Sequence, residues 1–266
     1  MMNGSRKSNV PRWRWWIHFA LIGGYILPGV VRGFYFVPQH PVLTGSARGL
    51  LVVCGFNLGA FAVVFLLGWL ASHATAEELF LPWRQGWWVL PLGIGYSIAF
   101  RVILAVVGMI TILFLVVTHL VDVDSLRNVA VQIRPRVDHL VDFSALQTNR
   151  IYYWLVLTLV SFVGAGSVRN CGELTLAGMR ALWPRAFLSP TGEVIAIVVI
   201  AIGFGAAHLS MGSLAAAVAT LLGLFLGLIL IVHRSIWPAV IAHGFFDATT
   251  FALLPLVASR VPHPHP

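Results

Sequence analysis

The chain has 266 residues, of which 59% are hydrophobic and only 10% are charged, and its mean hydropathy is +0.88. Since a soluble domain carries about 25% charged residues, this composition excludes an ordinary soluble protein and indicates a membrane protein. The formal charge of +8 comes almost entirely from arginine, because Lys7 is the only lysine. Outside the membrane flanks we find no basic patch with interleaved aromatic residues, so the charge predicts contact with anionic lipids and no nucleic-acid partner.

Seven apolar segments follow one another along the chain. Their hydrophobicity is continuous rather than alternating, which favours helices, and several reach or approach the ~20 residues that cross a bilayer. We therefore predict an all-α fold: a polytopic membrane helix bundle with about seven transmembrane helices, in a single membrane domain over residues 1–266. The segments cover roughly 15–31, 49–72, 87–118, 151–171, 192–208, 213–232 and 237–258.

The first segment is preceded by a basic region, like the start of a signal peptide. No small-x-small cleavage site follows it, so we expect an uncleaved first span. Positive charges before this span favour a cytoplasmic N-terminus. Seven crossings then place the arginines that follow the second, fourth and sixth segments inside, and the His/Pro tail outside. They also place the 121–150 connection outside, where its arginines run against the positive-inside rule.

The third segment is too long for one straight crossing, since 32 residues extend ~48 Å as a helix against a ~30 Å hydrocarbon core. It also contains Pro91 and Arg101. We therefore predict a kink, a tilt or a helix that extends beyond the membrane. The polar connection 121–150 is predicted to contain a short amphipathic helix on the membrane surface.

Ionisable residues at membrane depth are the main indication of function. Each costs at least ~2.5–3.5 kcal/mol at the centre of a membrane helix, and such residues normally face a protein interior or a cavity. Arg101 is one of them. The others lie in the last third of the chain: Glu173, His208, His243 and Asp247.

Both histidines of this group have a partner four residues away, which places the two side chains of each pair on one helix face. Phe204 precedes His208 by four residues, and His243 precedes Asp247 by four. An imidazole beside a carboxylate could bind a proton, a metal or a developing oxyanion. Alternatively, each histidine could form an interhelical hydrogen bond, with Asp247 holding the His243 tautomer.

Glu173 lies at the end of the fourth segment. Arg169 precedes it by about one helical turn and Arg180 follows it by about two, so the three side chains can share a face. Glu173 could instead be an ion-paired surface carboxylate beyond the membrane. Because four ionisable residues come from three helices in the last third of the chain, we favour a shared polar site.

These residues resemble the motifs of a known family. The family is the CAAX-protease and bacteriocin-processing (CPBP, also called ABI) family of intramembrane proteases. "FGAAH" at 204–208 is similar to its second motif, Phe-x-x-x-His, and "HGFFD" at 243–247 to its third, His-x-x-x-Asn or Asp. A Gly-rich span and "HRSIWPAVIAH" lie between them, as in the family. The resemblance implies a catalytic-type core over residues 151–258.

The first motif of the family, Glu-Glu-x-x-x-Arg-Gly, is altered in this chain. "GELTLAG" at 172–178 aligns with it, so that Gly172 replaces the first glutamate and Ala177 the arginine, while Glu173 and Gly178 remain. Adjacent helical residues point ~100° apart, so Glu173 does not occupy the place of the missing glutamate unless the helix rotates. Arg169 and Arg180 could replace the motif arginine and hold Glu173 in a different orientation.

The resemblance implies an intramembrane endopeptidase that cleaves membrane-associated substrates with an activated water. Its catalytic residues would be Glu173, His208, His243 and Asp247, supported by Phe204, Arg169 and Arg180. His208 would help to activate water, and His243 with Asp247 would stabilise the oxyanion. The same four residues could supply zinc with two nitrogens and two carboxylates, although the family pattern does not require a metal.

The alternative is a catalytically inactive family member that acts as a membrane binding, regulatory or bacteriocin-immunity protein. Gly172 and Ala177 favour this alternative. In either case we expect an integral protein of a bacterial plasma membrane. Its expected partners are membrane lipids together with a membrane-associated or prenylated peptide substrate, or a membrane protein.

Overall fold

The structure, a computed structural model, is helical over almost all of the chain it covers. It describes residues 10–36, 38, 40–43, 45–133, 135–137 and 140–258; at 123, 127, 165, 167–170 and 256–258 it describes the backbone alone. Within these ranges the extended contacts amount to one isolated bridge, between Leu43 and Val141. The helices are α1 (Arg12–Tyr35), α2 (Ala47–Ser72), α3 (Val89–Val117), α4 (Val123–Gln132), α5 (Phe143–Thr148), α6 (Arg150–Leu155), α7 (Ser161–Leu182), α8 (Pro184–Phe187), α9 (Pro190–Ala206), α10 (Ser213–His233) and α11 (Trp237–Ala258).

Each of the seven predicted apolar segments lies in a helix. Segment four corresponds to α6 and α7, which a π-helical turn over Val156–Val160 joins. Four described helical segments are long and apolar enough to cross a membrane: Arg12–Tyr35, Ala47–Ser72, Gly86–Val117 and Ser213–His233. The all-α membrane bundle is therefore confirmed, whereas the number of seven spans stays a prediction.

The long third segment forms one helix, α3, of 29 residues. At 1.5 Å per residue this helix is ~44 Å long, well above the ~30 Å thickness of the hydrocarbon core. Pro91 lies in its first turn, where a helix has no intrahelical partner for the backbone N–H. The proline therefore starts the helix rather than kinking it.

The N-terminus and three connections meet at one end of the bundle. The Arg12 guanidinium donates to the carbonyl of Leu182 (2.7 Å), and Arg14 Nε donates to the carbonyl of Ala71 (2.6 Å). Ser235 Oγ donates to the carbonyl of Pro82 (2.8 Å). These contacts bring together the N-terminus and the connections after α2, α7 and α10, and we call this the N-terminal end.

The remaining connections meet at the opposite end. The amide of Leu43 donates to the carbonyl of Leu140 (2.9 Å), and the amide of Arg136 donates to the carbonyl of Met211 (2.8 Å). The connections after α1, α3 and α9 are therefore neighbours. This alternation between two ends describes an up-and-down arrangement of the long helices.

Glycines let the helices that carry the motifs pack closely, as small residues do in membrane bundles. A Cβ atom added to Gly227 of α10 would lie 2.2 Å from Ile197 Cγ2 of α9, and one added to Gly244 of α11 would lie 2.4 Å from Phe162 Cδ1 of α7. α11 also packs against α3. α7 also contacts α9, and α10 contacts α11, so that the three motif helices α7, α9 and α11 form one cluster.

Candidate functional site

Glu173 is a buried carboxylate. α7 does not stop where the apolar segment ends at residue 171 but continues to Leu182, so Glu173 lies well inside the helix. Only 2% of this residue is exposed. The alternative that Glu173 lies on the surface is therefore wrong.

The Glu173 side chain borders a small cavity between three helices. The volume of the cavity is about 10 Å³, close to the ~10–15 Å³ that holds one water molecule. Its other lining residues are apolar or glycine: Gly172, Leu176, Ile197, Ile200, Gly223, Gly227 and Leu230. The first-motif carboxylate thus faces α9 and α10.

The two altered positions of the first motif have different surroundings. A Cβ atom at Gly172 would lie 3.1 Å from Ile200 Cγ2, so a larger residue fits there only if Ile200 shifts by a few tenths of an ångström. Ala177 is 4% exposed and belongs to an apolar cluster that includes Trp15 and Leu79. An arginine at 177 would place its charge in that cluster.

Gly178, the last residue of the first motif, lies where α1 crosses α7. A Cβ atom there would lie 3.0 Å from Phe19 Cδ2 and 3.5 Å from His18 Cδ2. The close approach of the two helices accounts for a glycine at this position.

Arg180 binds a different carboxylate from the predicted one. Its Nη2 lies 3.5 Å from Oε1 of Glu193 on α9, and its guanidinium stacks 5.3 Å from the Phe80 ring centroid. Arg234 binds the same carboxylate through two hydrogen bonds of 2.8 and 3.1 Å. Arg180 therefore ties α7 to α9 through Glu193. The side chain of Arg169 lies outside the described residues.

His208 lies in the turn that follows α9. Its Nδ1 is 2.8 Å from the carbonyl oxygen of Phe204. Because a carbonyl oxygen only accepts hydrogen bonds, this contact needs a proton on Nδ1 and leaves the lone pair of a neutral ring on Nε2. The second motif thus sets the tautomer that a general base would use.

Phe204 joins the second motif to the third. Its ring centroid lies 4.7 Å from that of His208 and 5.6 Å from that of His243 on α11. Both contacts are edge-to-face. The phenylalanine therefore lies between the two histidines.

The third motif forms the predicted imidazole–carboxylate pair. His243 is 6% exposed, and its Nε2 lies 3.4 Å from Asp247 Oδ2. The carboxylate can therefore orient the ring and stabilise a positive charge on it. These contacts join Phe204, both histidines and Asp247 into one group, while Glu173 borders Ile200, one turn of α9 before Phe204.

The arrangement of metal-ligating side chains bears on the predicted zinc site. Within the described part of the chain, His, Cys, Asp and Glu side chains form no group of three or more that could hold a metal ion. Zinc binding by His208, His243, Asp247 and Glu173 stays a prediction.

One polar residue at the first motif was not predicted from the sequence. His18 of α1 is fully buried, with Nδ1 3.0 Å from the carbonyl of Gly68 and Nε2 3.0 Å from the carbonyl of Leu174. A neutral ring donates to one of these oxygens, and a protonated ring donates to both. Leu174 directly follows Glu173, so His18 fixes α7 at the first motif. The available signal was a histidine inside the first predicted span.

Comparison with protein families identifies the region that contains these residues. Residues 150–249 match the family model described as Rce1-like: Type II CAAX prenyl endopeptidase Rce1-like. This segment is Rce1-like. The match agrees with the resemblance to CPBP proteases that the motifs indicate. Comparisons with curated proteins and with solved structures give no match.

The Rce1-like segment runs from α6 into α11. It contains all four candidate catalytic residues, together with Phe204, Arg169 and Arg180. α1, α2 and α3 lie outside it, although α1 and α3 pack against the motif helices. With its long apolar helices, the chain is an integral membrane protein, and its residues 150–249 are similar to type II CAAX prenyl endopeptidases.

Proposed function

We propose that the protein is an intramembrane endopeptidase that hydrolyses peptide bonds of membrane-associated substrates with an activated water. The observation that carries this proposal is the group formed by His208, Phe204 and the His243–Asp247 pair inside an Rce1-like segment. These are the side chains that water activation and oxyanion stabilisation need, and the packing of α9 and its following turn against α11 brings them together.

His208 acts as the general base of this mechanism. Its Nε2 takes a proton from a water whose oxygen then bonds to the carbonyl carbon of the scissile peptide. The proton passes to the leaving nitrogen as the C–N bond breaks, which gives a carboxylate and an amine. The Nδ1 contact with Phe204 keeps the ring in the tautomer that this step requires.

His243 stabilises the tetrahedral oxyanion. A hydrogen-bond donor held in place before the reaction stabilises charge that develops in the transition state. An ionised Asp247 would repel an oxyanion, so its role is to orient His243, and the 3.4 Å contact supports this role.

Glu173 shares the activation of water with His208. The small cavity that Glu173 borders is of the size that one water needs. His208 does not line this cavity, so the two groups act on one water when that water lies between the cavity and the His208 ring. A carboxylate and an imidazole can divide the work of a base, and removal of a well-placed base lowers the rate by ~10²–10⁴-fold.

An inactive, partner-binding member of the family is the second candidate. Gly172 and Ala177 favour it, because the first-motif glutamate and arginine are both missing. The apolar lining of the Glu173 cavity also favours it, since a water there has few polar partners other than the carboxylate.

The test is an assay of the purified protein in detergent, with a fluorogenic prenylated peptide and a pool of membrane peptides. We expect cleavage by the natural chain and a loss of ~10²–10⁴-fold in kcat/KM in both Glu173→Gln and His208→Gln. His233→Gln is the matched control, because His233 lies at the far end of α10 and contacts Tyr96 and Gln85 instead.

Gly172→Glu distinguishes the two candidates. The Ala177→Arg change is left out, because it would bury a charge in the apolar cluster around Trp15. Cleavage by Gly172→Glu alone, with none by the natural chain, would identify an inactive relative whose pocket serves binding. No cleavage by either would reject the protease proposal.

A further inference from the structure

Arg101 lies in the middle of α3 and contacts the turn of α11 that carries the third motif. Its Nη2 donates to the carbonyl of Phe246 and to the hydroxyl of Thr249, and it lies 3.3 Å from Thr250 Oγ1. Its Nη1 donates to Ser97 Oγ (2.7 Å) and to the carbonyl of Ser97 (3.2 Å). One guanidinium thus bridges α3 and residues 246–250.

These contacts lie within the third motif and just after it. Phe246 lies between His243 and Asp247 in the chain, and its ring stacks 4.3 Å from the centre of the guanidinium. Asp247 is also within electrostatic reach of Arg101. The contacts that Arg101 makes with α11 therefore involve residues that flank Asp247 in the chain.

Joining two membrane helices through an arginine costs more free energy than joining them by apolar packing. A charge at the centre of a membrane helix costs at least ~2.5–3.5 kcal/mol, whereas α3 and α11 already pack closely where Gly93 meets Ile241. The planar guanidinium has several N–H donors and can bind a carbonyl and hydroxyls in one fixed geometry. Neither apolar packing nor the flexible ammonium group of lysine does this.

We propose that Arg101 is a positioning residue for the third motif: it holds the Phe246–Asp247 turn so that Asp247 faces His243. The inference concerns a residue outside the Rce1-like segment. Its catalytic consequence rests on the proposed protease function, but its effect on the His243–Asp247 pair does not.

Arg101→Lys tests this role, because lysine keeps the positive charge but lacks the planar guanidinium. The matched control is Tyr96→Phe. Tyr96 lies on the same helix, and its hydroxyl is 2.7 Å from His233 Nε2, so this variant removes a polar contact of α3 that does not involve α11. Two readouts are needed: kcat and KM of peptide cleavage, and the ring ¹⁵N NMR signals of His243, assigned with His243→Gln.

We expect Arg101→Lys to lower kcat by ~10²-fold with little change in KM, as a displacement of about 1 Å in an active site does. We also expect it to shift the His243 ring signals. Tyr96→Phe should leave kcat and the His243 ring signals close to those of the natural chain. Unchanged His243 signals in Arg101→Lys, or equal shifts in both variants, would overturn the proposal.

Ser97→Ala decides the question if Arg101→Lys does not fold. It removes an acceptor that orients the guanidinium and leaves the charge in place, so a smaller shift of the His243 signals is expected and no shift would overturn the proposal. If the natural chain cleaves nothing, the protease proposal fails, whereas the NMR comparison still tests the role of Arg101.

Discussion

The charge of Asp247 has two opposing effects in the candidate site. A carboxylate beside an oxyanion is unfavourable, yet the same carboxylate 3.4 Å from His243 Nε2 can hold the ring in place. The resemblance implies that asparagine also serves at this position. Both residues have an oxygen that accepts a hydrogen bond from the ring, so orientation rather than negative charge is the shared property.

Asp247→Asn should therefore retain most of the activity, whereas Asp247→Leu should lose it. The leucine removes the acceptor that orients His243, and loss of an oxyanion donor costs about 10²–10³-fold in kcat. The measurement is kcat with the prenylated reporter peptide. Equal losses in both variants would show that the negative charge of Asp247 is required.

Metal removal should leave the activity unchanged. The proposed mechanism uses His208 and Glu173 to activate water, and within the described residues no group of three or more His, Cys, Asp and Glu side chains could hold a metal ion. The measurement is cleavage before and after incubation with EDTA and 1,10-phenanthroline, with a zinc protease as the positive control. Loss of activity that returns on addition of zinc would contradict the mechanism.

At the scale of the helix, the fourth apolar segment shows what hydropathy misses. The apolar run ends near residue 171, but α7 continues for three further turns to Leu182. Its polar positions are buried by neighbouring helices: α1 supplies His18 beside Leu174, and α9 supplies Glu193 beside Arg180. Hydropathy measures the preference of side chains for an apolar medium over water. It therefore does not detect a helix whose polar side chains are covered by neighbouring helices.

The packing of α9 against α10 should depend on Gly227. Gly227→Ala would place a Cβ atom 2.2 Å from Ile197 Cγ2, and overpacking of this kind costs ~1–3 kcal/mol of unfolding free energy. Gly203→Ala is the control, because no atom lies within 4 Å of its added Cβ and alanine is the better helix former by ~0.5–1 kcal/mol. The thermal unfolding midpoint in detergent should fall only for Gly227→Ala, and equal midpoints would disprove the close contact.

At the scale of the whole molecule, the basic residues at the N-terminal end favour one orientation, whereas the arginines of the 121–150 connection at the opposite end run against it. The N-terminal end carries Arg12, Arg14, Arg84, Arg180, Arg185 and Arg234. Basic residues accumulate on the cytoplasmic side of membrane proteins. We therefore propose that the N-terminal end faces the cytoplasm and that the connection between α3 and α6 lies on the other side.

Cysteine labelling in intact cells tests this orientation. Ala76 and Asn128 are both exposed, at the N-terminal and opposite ends respectively, while the native Cys54 and Cys171 are buried. Asn128→Cys should react with a membrane-impermeant maleimide in intact cells, and Ala76→Cys only after permeabilisation. The reverse pattern would place the N-terminus outside.

Much of the architecture followed from the sequence because its causes are local. In lipid a chain must satisfy its own backbone hydrogen bonds, so long apolar runs predict helices, and the structure has a helix at each of the seven. Spacing of four residues along a helix brings side chains together, which is why the contacts of Phe204 with His208 and of His243 with Asp247 were predictable.

The tertiary structure decided which residues meet across helices. Glu193 rather than Glu173 binds Arg180, and Arg101 reaches Phe246 across 145 positions of the chain. These contacts depend on the rotation and offset of each helix relative to its neighbours, and close glycine contacts such as that of Gly227 with Ile197 help to set both. Periodicity along one helix carries no information on that rotation, because it describes one helix at a time.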